Sequence, residues 1–518
     1  SKPFLYILLL VALVIILIAC FNFINLNIGL SFTRTKEIGI RKCLGAGKRQ
    51  VWLQVWGESL VIVFTSLIVG IIATVILMQG FNKLMEAKFD TSLLYQPAVI
   101  FSLIVMLFFV SLLASGYPSY IMGKLKTVEI LKGKISLKKP GIFRNALIVA
   151  QFVIAIVLIC TTIIIYQQFQ HLRKAPLGYT TESLVSVPIK QYEKGRDIVG
   201  KLRTMLAAQS GIVSVTGSDV NLGLGSDGST NQTSFGFDYK GRSVNTNYMA
   251  ADYDVLKTLN IKVKEGRDFL SAYAADTTNS VIITESMAKQ LGEKNAVGIS
   301  FYADSSQPKW NVVGVIPDFY LYSMYQKNEP LTICMNTGSF ISYALIRVNT
   351  QNPTATMDII KSAYTQVAPG VEFKGSYVTE NIDRWYTNEK RLSNMFSIAA
   401  MVAIVLSCMG LFGMAFIIIR QRVKEIGVRK VLGASVRGIA TLVTKEFIKP
   451  VGIALLIATP IAWWAMHKWL QDFNYRVNIQ WWVFVVAGIV AILIAIATVS
   501  FHAVKAALTN PVKSLRTE

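Results

Sequence analysis

Thirteen residues recur in this chain 388 positions apart, each time just after a long apolar run. The first copy is Arg34-Thr-Lys-Glu-Ile-Gly-Ile-Arg-Lys-Cys-Leu-Gly-Ala46 and the second is Arg422-Val-Lys-Glu-Ile-Gly-Val-Arg-Lys-Val-Leu-Gly-Ala434. Ten of the thirteen positions are identical, and the exceptions are Thr35/Val423, Ile40/Val428 and Cys43/Val431. Chance does not preserve such a pattern. The chain therefore reads as a duplicated membrane unit that carries the same polar device in each half. The same offset aligns the apolar runs Phe4–Leu26 and Met395–Ile419.

Crossing about 30 Å of hydrocarbon takes about 20 apolar residues. Seven runs reach that length: Phe4–Leu26, Val51–Leu77, Ala98–Met122, Ala146–Tyr166, Met395–Ile419, Ile448–Met466 and Trp481–Val499. With 53% hydrophobic and only 16% charged residues, the chain is too apolar for a soluble protein. Phe4–Leu26 is too long for a cleavable signal peptide. The polar segments 31–50, 123–145, 420–438 and 505–518 hold 22 Lys and Arg against four acids, Glu37, Glu129, Glu425 and Glu518. The segment 171–391 is nearly neutral, with 23 basic and 21 acidic residues. The positive-inside rule places the four basic segments in the cytoplasm and the large segment outside. These segments carry +18 of the net +22, and orientation and contact with anionic headgroups account for most of the charge, so nucleic acid is not needed as a partner.

The expected fold class is membrane α-helical: seven transmembrane helices from two repeated four-helix units, the first incomplete, plus an external α/β domain. Leu184–Ile189, Ile212–Val215, Ser280–Thr284, Trp310–Ile316 and Tyr343–Val348 read as strands. Ile198–Ala208, Glu285–Leu291 and Pro353–Val367 have helical spacing. Gly217–Ser234 reads as a flexible loop or an irregular insert. A weaker echo, Lys126-Thr-Val-Glu-Ile-Leu-Lys132 against Asn510-Pro-Val-Lys-Ser-Leu-Arg516, closes each half. The first half lacks the opening helix and external domain that the second half has. The natural protein is therefore expected to extend upstream by one helix and a second external domain. The present residues alone are expected to insert, but not to support coupled function.

Catalytic chemistry is not legible. Five cysteines make no disulfide framework, and the three histidines lack metal-ligand spacing. Gly223-Leu-Gly-Ser-Asp-Gly228 matches a dinucleotide fingerprint, but the Ser-Thr-Asn-Gln-Thr-Ser after it is a poor helix start. Gly45-Ala-Gly-Lys48 resembles a phosphate-binding loop, yet Arg49 stands where Ser or Thr must hold magnesium.

Each copy of the repeat is expected to form a short cytoplasmic helix between membrane helices. Ile40, Cys43 and Leu44 share a face, as do Val428, Val431 and Leu432. Glu37/Arg41 and Glu425/Arg429 are i, i+4 partners. Gly45 and Gly433 suit helix C-termini. A membrane-surface helix would explain the Lys and Arg, but not an identical Glu, Gly and Leu-Gly-Ala in both halves. A protein-docking helix explains them all. Glu58 and Glu446 recur at the same offset and read as interfacial acids near helix starts, with a part in transmission as the alternative.

Lys-Glu-Ile-Gly-x-Arg-Lys-x-Leu-Gly-Ala between two membrane helices resembles the FtsX-like permease family in its MacB-type branch. Asn22-Phe-Ile-Asn-Leu26 and Val312-Val-Gly-Val-Ile-Pro-Asp-Phe319 resemble it too. The resemblance implies a first permease unit over 1–140 with a coupling helix at 34–48, a transmembrane helix at 141–166, a periplasmic core domain at 167–391, and a second unit over 392–518 with a coupling helix at 422–436. Unlike the MacB protein itself, this chain has two units and no fused ATPase. The resemblance also implies a non-catalytic permease subunit in the bacterial inner membrane. A separate ATP-binding-cassette ATPase dimer would hold the ATP and magnesium, and this chain no cofactor. Docking would fall on Glu37, Gly39, Arg41, Lys42, Leu44 and Gly45, and on Glu425, Gly427, Arg429, Lys430, Leu432 and Gly433. Export of peptides, antibiotics or similar amphiphiles, with a periplasmic adaptor and outer-membrane exit duct, is the leading expectation. Lipoprotein release and control of cell-wall hydrolases are the alternatives. A secondary transporter is a weaker fourth, because few charges lie in the apolar runs.

The orientation is testable by cysteine labelling in intact cells. An impermeant thiol reagent is expected to reach Cys334 or a Ser229→Cys probe and to miss Cys43. Labelling of Cys43 from outside would invert the topology.

Overall fold

The computed structural model describes residues 2–33, 35–85, 89–124, 140–189, 194–302, 309–324, 329–335, 340–421 and 423–508. The echo at Lys126–Lys132 and Asn510–Arg516 lies outside the described residues, as do Arg34 and Arg422. The chain forms two compact units: 1–167, 389–469 and 478–518 make one, and 168–388 with 470–477 make the other.

The first unit is helical. Its elements are α1 (Lys2–Thr33), α2 (Thr35–Cys43), α3 (Lys48–Met85), α4 (Pro97–Lys124), α5 (Pro140–Arg173), α11 (Thr387–Gln421), α12 (Val423–Val431), α13 (Val436–Leu470) and α14 (Trp482–Leu508), where α5 and α11 run on into the second unit. Among the described residues six helices are long and apolar enough to cross a membrane: α1, α3, α5, α11, α13 and α14. The seventh expected span falls on α4, of which Pro97–Leu113 is the apolar stretch among the described residues, so these show six of the seven. Helices are what hydrocarbon permits, since each closes its backbone hydrogen bonds within itself.

The repeat is visible in how α1 meets α11. The 388-residue offset pairs Asn22 with Gly410 and Asn25 with Gly413. Asn22 and Asn25 are buried, and Asn22 Nδ2 donates to the Leu406 carbonyl at 3.2 Å. A Cβ at Gly410 would lie 2.8 Å from Asn22 Oδ1, and one at Gly413 would lie 2.2 Å from Leu26 Cδ2. The second copy thus has no side chain where Asn22 and Leu26 of the first copy come close. Close approach at small residues is how helices associate in lipid, where burial of apolar surface supplies no drive.

The second unit is α/β. It holds β1 (Leu184–Pro188), α6 (Gly195–Leu206), β2 (Ile212–Ser218), β3 (Thr233–Tyr239), β4 (Arg242–Ala250), α7 (Val255–Leu259), β5 (Glu265–Gly266), β6 (Ser280–Thr284), α8 (Glu285–Leu291), β7 (Ser300–Phe301), β8 (Trp310–Ile316), β9 (Leu331–Cys334), β10 (Tyr343–Val348), α9 (Pro353–Val367), β11 (Ser376–Tyr377) and α10 (Val378–Trp385). Two sheets form, in the orders β11-β1-β10-β2 and β3-β4-β9-β6-β8-β5, with β7 beside β8. β1, β6 and β10 are buried along their whole length, which is why they read as nearly continuous apolar runs. Val185, Val187, Leu202, Ile346 and Tyr364 pack one core, and Val281, Ile283, Met287, Phe301 and Val312 pack the other. The β3–β4 hairpin turns on Lys240 and Gly241, both at positive φ, a geometry that suits the right-handed twist of the strands.

One expectation changes here. Cys334 is buried in β9, and its thiol lies 2.6 Å from the Tyr248 hydroxyl, so in the folded chain it is shielded from an impermeant reagent. The labelling test rests on the Ser229→Cys probe.

The sheets meet at Asp219. Ser218 bridges Ala251, the Asp219 N–H donates to the Ala250 carbonyl at 3.0 Å, and Asp219 Oδ1 accepts the Ala250 N–H at 2.7 Å. Burial pushes the carboxyl from its ordinary 3.8 up to about 7, against the Ala250 N–H, which favours the charged form. Between those two values the folded state binds a proton that the unfolded state has released, so stability from this group falls as pH rises through that window. Asp219→Asn is expected to remove that slope. Denaturant midpoints of the purified chain at pH 5 and pH 8 should differ less in the variant than in the parent. An unchanged difference would mean that Asp219 is ionised in the fold throughout.

Candidate functional site

The two repeated segments fold alike. α2 and α12 are nine residues each and are followed by left-handed glycines, Gly45 at φ +99° and Gly433 at φ +90°. The closing hydrogen bonds match one for one. Leu44 N–H donates to the Ile40 carbonyl at 3.0 Å, Gly45 to Lys42 at 3.2 Å and Ala46 to Arg41 at 3.0 Å. Leu432, Gly433 and Ala434 donate to Val428, Lys430 and Arg429 at 3.0, 3.1 and 2.9 Å. This wrap-back from the second residue past the helix is a Schellman cap, and it requires the αL residue that glycine takes without a Cβ penalty. It explains why Leu-Gly-Ala recurs intact. The next helices start differently: Gln50 Oε1 accepts the Gly47 N–H before α3, whereas Ser435 Oγ accepts the Gly438 N–H before α13.

The cap leaves a leucine outside. Leu44 is 83% exposed and Leu432 80%, while Ile40, Cys43, Val428 and Val431 on the same faces are exposed as well. The opposite side of α2 is inward, with Ile38 packed on Val51 beside Ala46 and Val55. Gly39, expected among the docking residues, is buried with Ile38 rather than exposed beside Leu44. Gly427 lies within α12, and its surroundings are outside what is described. Glu37 and Arg41 pair at 2.7 Å, and Glu425 and Arg429 at 2.8 Å. Lys42 and Lys430 are half-buried, and burial together with the Lys48 charge holds the Lys42 ammonium below its usual range.

Sequence reasoning did not connect Glu58 to this helix. Arg41 donates both to Glu37 and to Gln54 Oε1, each at 2.7 Å, and Gln54 Nε2 donates to Glu58 Oε1 at 3.3 Å. The first copy thus has a line of polar contacts from α2 along the start of α3. Leu442 occupies the position of Gln54 in the second copy, so no such amide stands between α12 and Glu446, which is half-buried on α13.

The two sequence decoys resolve as packing. Gly223 sits at φ +90° where a Cβ would lie 2.5 Å from Asn381 Cβ, and Leu224 N–H donates to the Asn381 carbonyl at 3.0 Å. Asn381 also accepts from Ser376 and Arg384, each at 2.6 Å. The glycine-rich loop is therefore fastened to α10, and β3 rather than a helix comes after it. Gly45 to Lys48 is the turn between α2 and α3, with no strand before it. Among the described residues no group of His, Cys, Asp and Glu could hold a metal.

The C-terminal model of FtsX-like permeases matches residues 9–127 and 397–511, and the MacB-like periplasmic core domain matches 146–373. The chain belongs to the FtsX-like permease family. It is a multi-pass inner-membrane permease of the ABC-transporter type with a periplasmic domain, and its family works with an ATPase partner. Comparison with curated proteins finds no match. Solved structures similar to part of the permease include the following three. The periplasmic region of MacB from Actinobacillus actinomycetemcomitans is 14% identical, covers 40% of this chain and 94% of that one, and has a TM-score of 0.29. The extracellular domain of the noncanonic ABC-type transporter YknZ from Gram-positive bacteria is 12% identical, at 37% and 98% coverage and a TM-score of 0.26. A domain of a putative permease from Porphyromonas gingivalis is 16% identical, at 38% and 91% coverage and a TM-score of 0.27.

Exposed i, i+4 pairs such as Glu37–Arg41 contribute about 0.3–0.5 kcal/mol each. The double change Glu37→Gln with Glu425→Gln is therefore expected to shift the melting temperature of the purified permease by less than about 3 °C. A loss of about 8 °C or more would show that the pairs hold the fold together rather than dress its surface.

Proposed function

We propose that α2 and α12 dock into a separate ATP-binding-cassette ATPase dimer, one helix per ATPase subunit, and that the permease passes the ATPase's motion to the periplasmic domain. The observation that carries this reading is the pair of outward leucines, Leu44 and Leu432, each presented by the same capped helix end. An isolated exposed leucine needs no explanation. Two at equivalent points of a duplicated chain, framed by identical Glu, Arg and Lys, fit a pocket used twice. An apolar anchor in a desolvated pocket with charges at the rim is how protein interfaces concentrate their binding energy. Gly45 and Gly433 fix the direction of the leucines, Glu37, Arg41, Lys42, Glu425, Arg429 and Lys430 form the rim, and the Arg41–Gln54–Glu58 line stiffens the junction between α2 and α3. Gly39, buried beside Ile38, stands behind the contact as a helix residue.

The cargo reading is export of peptides, antibiotics or similar amphiphiles, handled on the periplasmic side and passed to an adaptor and an outer-membrane duct. The match to the MacB-like periplasmic core domain supports it. Magnesium and ATP belong to the partner in this reading, and chemistry to no residue of this chain.

Leu44→Asp with Leu432→Asp is the decisive variant. Both side chains are exposed, so folding and insertion should be unaffected. In the complex each aspartate is buried without a partner, at a cost of several kcal/mol. The ATPase should no longer co-purify, and its stimulation by the permease should fall by more than about tenfold. Retention of both would refute docking through these leucines.

A further inference from the structure

The loop between α13 and α14 does not belong with the helices it joins. Residues 470–477 are part of the external unit, although α13 before them and α14 after them are part of the membrane unit. Its partner is α5. At 34 residues this helix is about 50 Å long, against about 30 Å of hydrocarbon, so its last turns stand clear of the apolar span. In those turns Gln168 is fully buried and uses both ends of its amide on one stretch of backbone. Its Nε2 donates to the Tyr475 carbonyl at 2.8 Å, and its Oε1 accepts the Val477 N–H at 2.9 Å. Three residues on, on the same helix face, His171 stacks on the Tyr475 ring with centroids 4.3 Å apart and planes 1° off parallel.

We infer that Gln168 is a positioning residue that fastens the α13–α14 loop to the outer end of α5, so that displacement of α5 reaches α13 and α14 through this loop. Two bonds from one planar amide fix both distance and direction. A buried amide that loses them leaves a carbonyl and an N–H without partners, so the contact resists partial opening. The ring stack adds a second point of attachment on the same loop residue. By chain continuity α5 carries the periplasmic domain, while α12, read above as a docking helix, leads into α13. The loop therefore closes a mechanical circuit between the docking element and the periplasmic domain that does not run through α11. This inference rests on the docking reading for the source of the motion, but not for the existence of the clamp.

The test is hydrogen–deuterium exchange on the full chain co-purified with its cellular ATPase, with and without magnesium ATP, for the parent and for Gln168→Leu and Gln168→Glu. In the parent, ATP is expected to change exchange in 168–174 and in 470–477 together. Gln168→Leu should speed exchange of 470–477 by about tenfold without ATP, the equivalent of one net hydrogen bond. It should also abolish the ATP response there while leaving the response in 168–174. Gln168→Glu can still accept the Val477 N–H but has no proton for the Tyr475 carbonyl, so it should fall between the two. This second variant decides the matter if the leucine variant does not fold. Unchanged protection of 470–477, or a surviving ATP response there in Gln168→Leu, would overturn the clamp. Absence of any ATP response in the parent would instead count against ATP-driven docking, and the exchange rate without ATP would still judge the clamp.

Discussion

The structure depends first on the refusal of hydrocarbon to solvate a peptide group. Every backbone donor and acceptor in the bilayer must be paired within the chain, which leaves long helices as the answer for α1, α3, α5, α11, α13 and α14. Since lipid offers no hydrophobic drive between helices, contacts there must come from close packing and polar glue. The Asn22–Gly410 and Leu26–Gly413 approaches supply both. The two equivalent helices face one another with different residues at matching positions. One copy has amides where the other has glycines.

Outside the membrane the opposite pressure acts. The helices α2 and α12 are short and strongly charged, too short to be stable alone. They persist through a glycine-based cap and, in α2, through one apolar side resting on α3. That economy leaves the other side free for a partner. The same cap fixes the helix end and turns the leucine outward, which is why structure and proposed function constrain the same three residues, Leu-Gly-Ala.

The external unit adds two sheets with separate cores, pinned together at Asp219, and its glycine-rich loop is pinned to α10 through Gly223 and Asn381. Its strands were readable where they are buried on both sides, as in β1, β6 and β10. The β3–β4 hairpin and β9 were not. β3 is an edge strand with an exposed, mixed pattern, and β9 is only four residues long, so neither leaves a clear period in the sequence.

Sequence alone determined the membrane class, the orientation, the duplication, and the presence and capping of α2 and α12. Each of these is written in one dimension, as length of apolar run, placement of Lys and Arg, or a local hydrogen-bonded turn. Tertiary structure decided which side of each helix is open. It buried Gly39 and Cys334, joined Arg41 to Glu58 through Gln54, and turned a nucleotide-like glycine motif into a packing loop. It also brought Gln168 to Tyr475 and Val477, some 300 residues away. A glutamine in a helix end carries no mark of such a partner. Only the closed chain supplies the carbonyl and the N–H that give its amide a role.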